Sequence, residues 1–207
     1  KRFIFASSGS IYGLKKEKKV TEELGLDPIT DYNKSKMICE KVISSYDKYI
    51  STTIIRPATV CGFSPRLRLD TVLNMFCYQA FFNNQIKVFG GKQTRPLVHV
   101  LDMVRCYQFF IRKNLNGCFN LGFENKSVLD LAKLVQKHIP TKIKVYKSDD
   151  IRSYRISSEK IVKSGFSPMF STEDAIIELK NQFKSFKPRD INWNLKWISK
   201  KNYLSQN

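Results

Sequence analysis

No stretch of this chain stays apolar for the roughly 20 residues that a membrane-crossing helix takes, and the longest greasy runs are broken by Lys, Asn or Asp. The sequence therefore implies no transmembrane segment. Histidine is scarce, with two among 207 residues. The cysteines Cys39, Cys61, Cys77, Cys106 and Cys118 form neither a close pair nor a Cys/His cluster of zinc spacing. That excludes a disulfide framework and implies no metal site, and the thiols read as reduced core residues of a cytoplasmic protein. Acidic residues are also few, 18 Asp and Glu against 36 Lys and Arg, for a formal charge of +18. Such an excess suits phosphorylated or polyanionic partners. The lysines are scattered, however, and the densest run, Lys15-Lys16-Glu17-Lys18-Lys19, has no interleaved aromatics, so the reading is a solvated basic surface and no nucleic acid. There is no internal repeat, no low-complexity tract and no initiator Met. The opening Lys1-Arg2-Phe3-Ile4-Phe5-Ala6 resembles a core strand entered midway, so the natural N-terminus is expected upstream.

A hydrophobic content of 42% is that of a globular chain with a core. Arg2 to Ala6 is an apolar run ending in Ser7-Ser8-Gly9-Ser10, as a buried parallel strand ends in a loop. Asp31 is placed to cap a helix from about Tyr32 to Tyr49, with Met37, Ile38, Val42 and Ile43 as its apolar stripe. Thr52 to Arg56 then reads as a β-branched strand halted by Pro57. Strand, helix, strand in that order predicts a parallel α/β sheet. Further on, helices are expected around Leu69 to Asn83 and from an Asp102 cap to Arg112, with others capped by Ser127, Ser158 and Ser171, the last in a box with Asp174. Short strands are expected at Ile86 to Phe89, Cys118 to Leu121 and Lys142 to Tyr146, the first followed by a Gly90-Gly91 turn and the segment Arg95 to Val100, with His99 read at a strand end. The expected organisation is the C-terminal portion of a Rossmann-type sheet domain over residues 1–62, a smaller mixed α/β lobe over 63–186, and a basic tail over 187–207.

The chemistry concentrates in Tyr32-Asn33-Lys34-Ser35-Lys36. Tyr and Lys four apart near a helix start share a face and can address one site. A phenol that exchanges protons near neutrality must be eased by about 4 kcal/mol from its ordinary pKa of ~10. A cation ~4 Å away supplies about that much at an effective dielectric of ~20. The preceding strand delivers serine hydroxyls to the carboxyl end of a parallel sheet, where α/β ligands bind.

Phe3-Ile4-Phe5-Ala6-Ser7-Ser8-Gly9-Ser10-Ile11-Tyr12-Gly13, then Tyr32-Asn33-Lys34-Ser35-Lys36, then Ile54-Ile55-Arg56-Pro57-Ala58-Thr59-Val60-Cys61-Gly62 together resemble the extended short-chain dehydrogenase/reductases of the NAD-dependent epimerase/dehydratase kind, in which UDP-glucose 4-epimerase is a familiar member. The resemblance runs from residue 1 to about Pro168. It implies NAD as cofactor, with NADP not excluded, a nucleotide-diphosphate sugar as substrate, and a homodimer for the full-length protein. By matching position it makes Ser8 the hydroxyl that meets the reacting sugar oxygen and Tyr32 the acid/base. Lys36 becomes the residue that binds the nicotinamide ribose and tunes Tyr32, while Ser7 and Pro57 border the cofactor. Thr59, Arg95 and Arg152 are assigned to the substrate, the two arginines gripping its pyrophosphate with planar guanidinium forks. His99 and Asp102 are read as structural.

The pattern departs from the family in three places. Where family dehydratases carry Asp-Glu after the hydroxyl residue, this chain has Gly9-Ser10, which favours a 4-epimerase-like reaction over a dehydratase. Thr59 and the segment Cys61-Gly62-Phe63-Ser64-Pro65-Arg66-Leu67-Arg68 replace the usual substrate loop. The Gly-x-x-Gly-x-x-Gly turn that would hold the cofactor pyrophosphate is not in these 207 residues, so the isolated chain is expected to bind NAD poorly. The alternatives are a nucleotide-sugar 4-ketoreductase or dehydratase, or a non-catalytic NAD-sensing scaffold of the same fold.

Overall fold

The computed structural model describes residues 1–148 and 153–185. The chain opens with β1 (Arg2–Ala6), a 3₁₀ turn (Gly9–Tyr12), α1 (Asp31–Ser45), β2 (Ser51–Pro57) and β3 (Thr59–Cys61). It continues through α2 (Val72–Asn83), β4 (Gln85–Phe89), β5 (Thr94–His99), α3 (Val100–Lys113), β6 (Gly117–Leu121) and β7 (Glu124–Ser127). α4 (Val128–His138), β8 (Lys142–Tyr146), α5 (Glu159–Lys163) and α6 (Thr172–Phe183) complete it.

β2 is the middle of a parallel sheet in the order β1-β2-β6, with Phe5 beside Ile54 and Ile55 beside Phe119. Thr52 to Arg56 is buried throughout, which a strand covered on both faces requires. β6 lies well past residue 62 yet joins this sheet, so the sheet draws on both segments of the chain. A second sheet, β3-β5-β7, is parallel between β3 and β5 and antiparallel between β5 and β7, and β4 and β8 form a parallel pair.

The largest apolar cluster joins α2, α4 and α6 through Leu73, Phe76, Leu131, Val135, Ile176, Leu179 and Phe183. α2 packs on α4, α6 and β4 at once, and its sequence is accordingly apolar nearly all round. A second cluster seats Ile55, Phe110, Phe119, Leu121 and Ile161 between β2, β6, α3 and α5. Each such side chain contributes about 1.5–3 kcal/mol by leaving water. Tyr12, Val20, Ala58, Val98 and Ile156 form a third cluster beneath the 3₁₀ turn.

Several local expectations are corrected. Thr30, not Asp31, caps α1, its Oγ1 accepting from Asn33 N at 3.2 Å, and the helix ends at Ser45 rather than Tyr49. His99, not Asp102, caps α3, its Nδ1 accepting from Leu101 N at 3.1 Å. Asp102 sits inside the first turn, fully buried, and accepts the backbone N–H groups of Met169 and Phe170. Ser127 caps α4, and Ser171 caps α6 in a reciprocal box with Asp174, both as expected. Ser158 precedes α5 without capping it, because its hydroxyl exchanges hydrogen bonds with both backbone groups of Gly122. The stripe on α1 is the larger correction. Ile38 and Val42 are 55% and 53% exposed, and the buried residues are Asn33 and Glu40. What α1 packs against is a polar network, which calls for polar partners. Cys39, expected in the core, is exposed, whereas Cys61, Cys77 and Cys106 are buried.

Candidate functional site

The site is built where β1 runs out. Ser7 N continues the ladder by donating to Ile55 O at 2.7 Å, and Ser8 then closes the 3₁₀ turn by accepting from Ser10 N at 3.2 Å. The Tyr12 ring plugs the turn from below, with no exposed surface. Gly13 adopts φ +67°, and a side chain there would start 1.8 Å from Asp27 O. Only glycine fits that approach.

α1 crosses the end of β1 and presents Tyr32, Lys36 and Glu40 at spacings of four. Lys36 Nζ donates to Ala6 O, the last carbonyl of β1, at 2.8 Å. The same ammonium lies 5.0 Å from the Phe5 ring centroid and 5.8 Å from that of Tyr32, within the range of cation–π attraction. Tyr32 itself is 56% exposed. Beside it, Asn33 turns inward and Asn33 Oδ1 accepts from Ser10 Oγ at 2.6 Å, while the Ser10 and Ser8 hydroxyls are 2.7 Å apart. Hydrogen bonds join Ser8, Ser10 and Asn33 to one another, and a separate set of contacts joins Lys36 to Tyr32, Phe5 and Ala6 O at the carboxyl end of β1.

One turn beyond Lys36, Glu40 receives Arg56 of β2 in a two-pronged buried pair, Nε to Oε1 at 3.0 Å and Nη2 to Oε2 at 2.7 Å. Arg56 Nη1 also donates to Tyr12 OH at 2.7 Å, and Tyr12 OH donates to Asn120 Oδ1 at 2.9 Å. Burial works against the Arg56 charge, but the hydrogen bonds to Glu40 together with the fields of Cys118, Tyr12 and Glu40 outweigh it, and the guanidinium is held more firmly protonated than usual. Burial likewise pushes the Tyr12 phenol up to about 12, so it stays a neutral donor and acceptor. The network clamps α1, β2, β6 and the serine turn to one another. Reading the sequence by motif misses it, although Glu40 eight residues after Tyr32 and four after Lys36 places all three on one helix face.

Ser7 Oγ is buried and has no hydrogen-bond partner. An unpaired buried hydroxyl costs about 1–3 kcal/mol, which a polar ligand atom can recover. Pro57 ends β2 against the turn, its carbonyl 3.1 Å from where a Gly9 Cβ would stand. On the Tyr32 side, the loop after β3 brings Arg68. Its guanidinium is held charged by bonds to Asp70 at 2.9 and 2.6 Å, with the Tyr32 oxygen adding to the field. Buried Asn74 fixes that loop at both ends, at Gly62 N and at Arg68 O.

Thr59 and Arg95 stand on the second sheet. Thr59 pairs with Leu97, and Arg95 lies in register with Lys126 and donates to Thr94 O at 3.3 Å. Thr94, Lys92, Asn125, Lys126, Asp130 and Arg155 line an open cleft of ≈ 480 Å³, where three cations outnumber one carboxylate. Arg152 lies outside the described residues. His99 is buried, stacks on Phe170 at 4.9 Å and faces Glu178 at 3.4 Å. It caps a helix, as a structural histidine does. Among the described residues no group of three or more His, Cys, Asp or Glu gathers to hold a metal ion, and no helix is long and apolar enough to cross a membrane.

A parallel sheet with a Ser turn and a Tyr/Lys helix at its carboxyl end defines an α/β protein of the Rossmann kind. The family model for the NAD dependent epimerase/dehydratase family matches residues 1–122, and the chain belongs to that family. It is 31% identical over 155 residues to the uncharacterized UDP-glucose epimerase YtcB of Bacillus subtilis (strain 168), covering 72% of this chain and 48% of that protein. The fold superposes with a TM-score of 0.77 on UDP-glucuronic acid 4-epimerase from Bacillus cereus in complex with UDP-glucuronic acid and NAD, at 26% identity, over 89% of this chain and 62% of that one. For dTDP-glucose 4,6-dehydratase from Bacillus anthracis in complex with NAD the TM-score is 0.79 at 20% identity, over 90% and 62%, a likeness of fold. The chain spans about half the length of the curated relatives it matches.

Proposed function

We propose that the protein interconverts nucleotide sugars as an NAD(P)-dependent epimerase, 4-epimerase-like, working at the carboxyl end of β1. The observation that carries this reading is the Lys36 ammonium, bonded to Ala6 O and 5.8 Å from the Tyr32 ring, beside the Ser7-Ser8 turn. When bound, the nicotinamide supplies a hydride acceptor and donor, and return of the hydride to the opposite face of the sugar carbonyl inverts that carbon. Tyr32 takes the sugar hydroxyl proton and gives it back. Lys36 stabilises the phenolate and reaches the nicotinamide ribose, and Ser8 meets the reacting oxygen. The buried, unpartnered Ser7 hydroxyl and the Pro57 carbonyl fit a polar cofactor edge at the same strand end. Arg95 holds the substrate pyrophosphate, with Arg152 as its second grip and Thr59 facing the sugar. The basic cleft beside Thr94 supports an anionic substrate on this sheet. The complete protein is assigned to the cytoplasm and to a homodimer formed through α1, whose exposed Ile38 and Val42 lie on one face four apart, with exposed Tyr46 just past the helix end.

Turnover of UDP- and dTDP-sugars by the full-length protein with NAD or NADP tests the proposal. Tyr32→Phe is expected to lower kcat by about 10²–10⁴ while nucleotide-sugar binding is kept. Unchanged turnover in that variant, or no hydride transfer from any sugar in the folded wild type, favours the non-catalytic scaffold instead.

A further inference from the structure

Cys61 to Arg68, the segment that stands in place of the usual substrate loop, ends in a guanidinium held ready for an anion. β2 ends at Pro57 against Gly9 of the serine turn, and β3 follows after the single residue Ala58, so the chain leaves β3 on the side of the site. Leu67 and Leu69 are buried in the largest apolar cluster, 2% and 4% exposed, and Arg68 stands exposed between them. Buried Asn74 Nδ2 donates to Arg68 O at 2.9 Å, and Glu178 Oε2 accepts from Phe63 N at 2.9 Å, so the loop is pinned to α2 and α6. Arg68 Nε and Nη2 donate to the two Asp70 oxygens at 2.9 and 2.6 Å. That leaves both hydrogens of Nη1 and the second of Nη2, the end-on edge of the fork, and Nη1 has no partner among the described residues. The Tyr32 oxygen acts on the same charge, which sets the fork in the neighbourhood of the phenol.

We infer that Arg68 is a specificity-determining residue whose open edge selects nucleotide sugars with a carboxylate on C5, the uronic acids, over neutral hexoses. The inference rests on the reading of Tyr32 as the acid/base at the sugar O4. With O4 at Tyr32, the neighbouring ring carbons are C3, which carries a hydroxyl in either sugar, and C5, which carries CH2OH in a hexose and a carboxylate in a uronic acid. The diphosphate lies across the ring at C1, so C5 is where an anion beside Tyr32 arises. A guanidinium edge grips a carboxylate through two parallel charge-assisted bonds, and meets a hydroxyl through one weaker bond. Asp70 has already oriented the fork, so little ordering remains to oppose binding. Inversion of the carbon requires the sugar to turn its other face to the cofactor, and the grip must then release. A side chain 66% exposed, with its charge screened by solvent, holds loosely enough for that.

The test is titration calorimetry on the full-length protein loaded with NAD, with UDP-glucuronic acid, UDP-glucose and UDP as probes. The wild type is expected to bind the uronic acid about tenfold more tightly than the hexose, the worth of one added charge-assisted bond. Arg68→Gln is expected to bring the two within about twofold, and raising NaCl from ~50 to ~500 mM to narrow the wild-type gap in the same direction. UDP has no sugar and is expected to bind wild type and variant alike. Equal affinity of the folded wild type for both sugars overturns the inference alone, as does a preference that survives in Arg68→Gln. Weakening of UDP together with both sugars in the variant also overturns it, because Arg68 would then serve the diphosphate or the fold. Failure of the folded wild type to bind either sugar overturns the functional reading, and this inference with it.

Discussion

Arg56 and Glu40 meet in a two-pronged ion pair with 8% and 6% of their side chains exposed, and the helix that carries Tyr32 and Lys36 is thereby bolted to the middle strand of the sheet. Neither residue reaches the serine hydroxyls, yet both decide where those hydroxyls stand relative to α1, because Arg56 also grips Tyr12 beneath the turn. Removing one partner strands the other charge in the interior. Glu40→Ala is expected to lower stability by about 3–5 kcal/mol in urea denaturation. Tyr12→Phe deletes one neutral link and is expected to cost about 1–3 kcal/mol. A loss under about 1 kcal/mol for Glu40→Ala would show that the pair is solvated.

His99 makes stability depend on pH in one direction. Burial holds the imidazole below its ordinary value, against the pull of Glu178 on α6, Asp102 on α3 and Asp174 on α6. As pH falls, the unfolded chain takes up the proton first, so the native state loses stability from the ordinary histidine value of about 6.5 downward. The slope for one proton is at most about 1.4 kcal/mol per pH unit. His99→Asn keeps an acceptor for Leu101 N and removes the titration. Urea denaturation between about pH 7 and 5 is expected to show a falling curve for the wild type and a flatter one for the variant.

Gly13 is the position in the serine turn least able to accept a side chain. Its φ of +67° disfavours any L residue, and a methyl group would overlap Asp27 O, so the segment that brings Val20 over Tyr12 would have to move. Gly13→Ala is expected to cost roughly 2–4 kcal/mol, read as a lower Tm.

The 207 residues contain no glycine-rich strand-to-helix turn for a pyrophosphate. Titration of NAD into this chain alone is expected to give no binding in the micromolar range. Tight binding would mean that the Ser7 and Lys36 end of β1 holds the cofactor with no help from such a turn.

Elements with a strong local signature were legible in the sequence. The apolar runs of β1 and β2, the Ser127 cap and the Ser171–Asp174 box needed no tertiary information. The misassigned caps have a common cause. Thr30 and Asp31 are both good capping residues side by side, and an imidazole such as His99 is seldom chosen for the task. β3 and β7 went unseen because three residues carry little period and Glu124-Asn125-Lys126-Ser127 is polar throughout, its pairing imposed by β5. At the site, the order of the Ser, Tyr/Lys and Arg-Pro motifs was visible, whereas the partners that fix them were not. Tyr12, Glu40, Arg56 and Asn120 come together from sequence separations of 16 to 108 residues. Ser10 and Asn33 are small polar residues common to many loops, and their hydrogen bond is visible only in three dimensions.

The sulfur distribution makes α1 optically addressable. Cys61, Cys77 and Cys106 are buried with their thiols pushed up by desolvation, and Cys118 is raised to about 12 for the same reason. Cys39 alone among the five is exposed, three residues from Lys36 on α1. A maleimide dye is therefore expected to find its target there in the native protein, without engineering, and its signal would test whether a ligand or a second copy reaches α1.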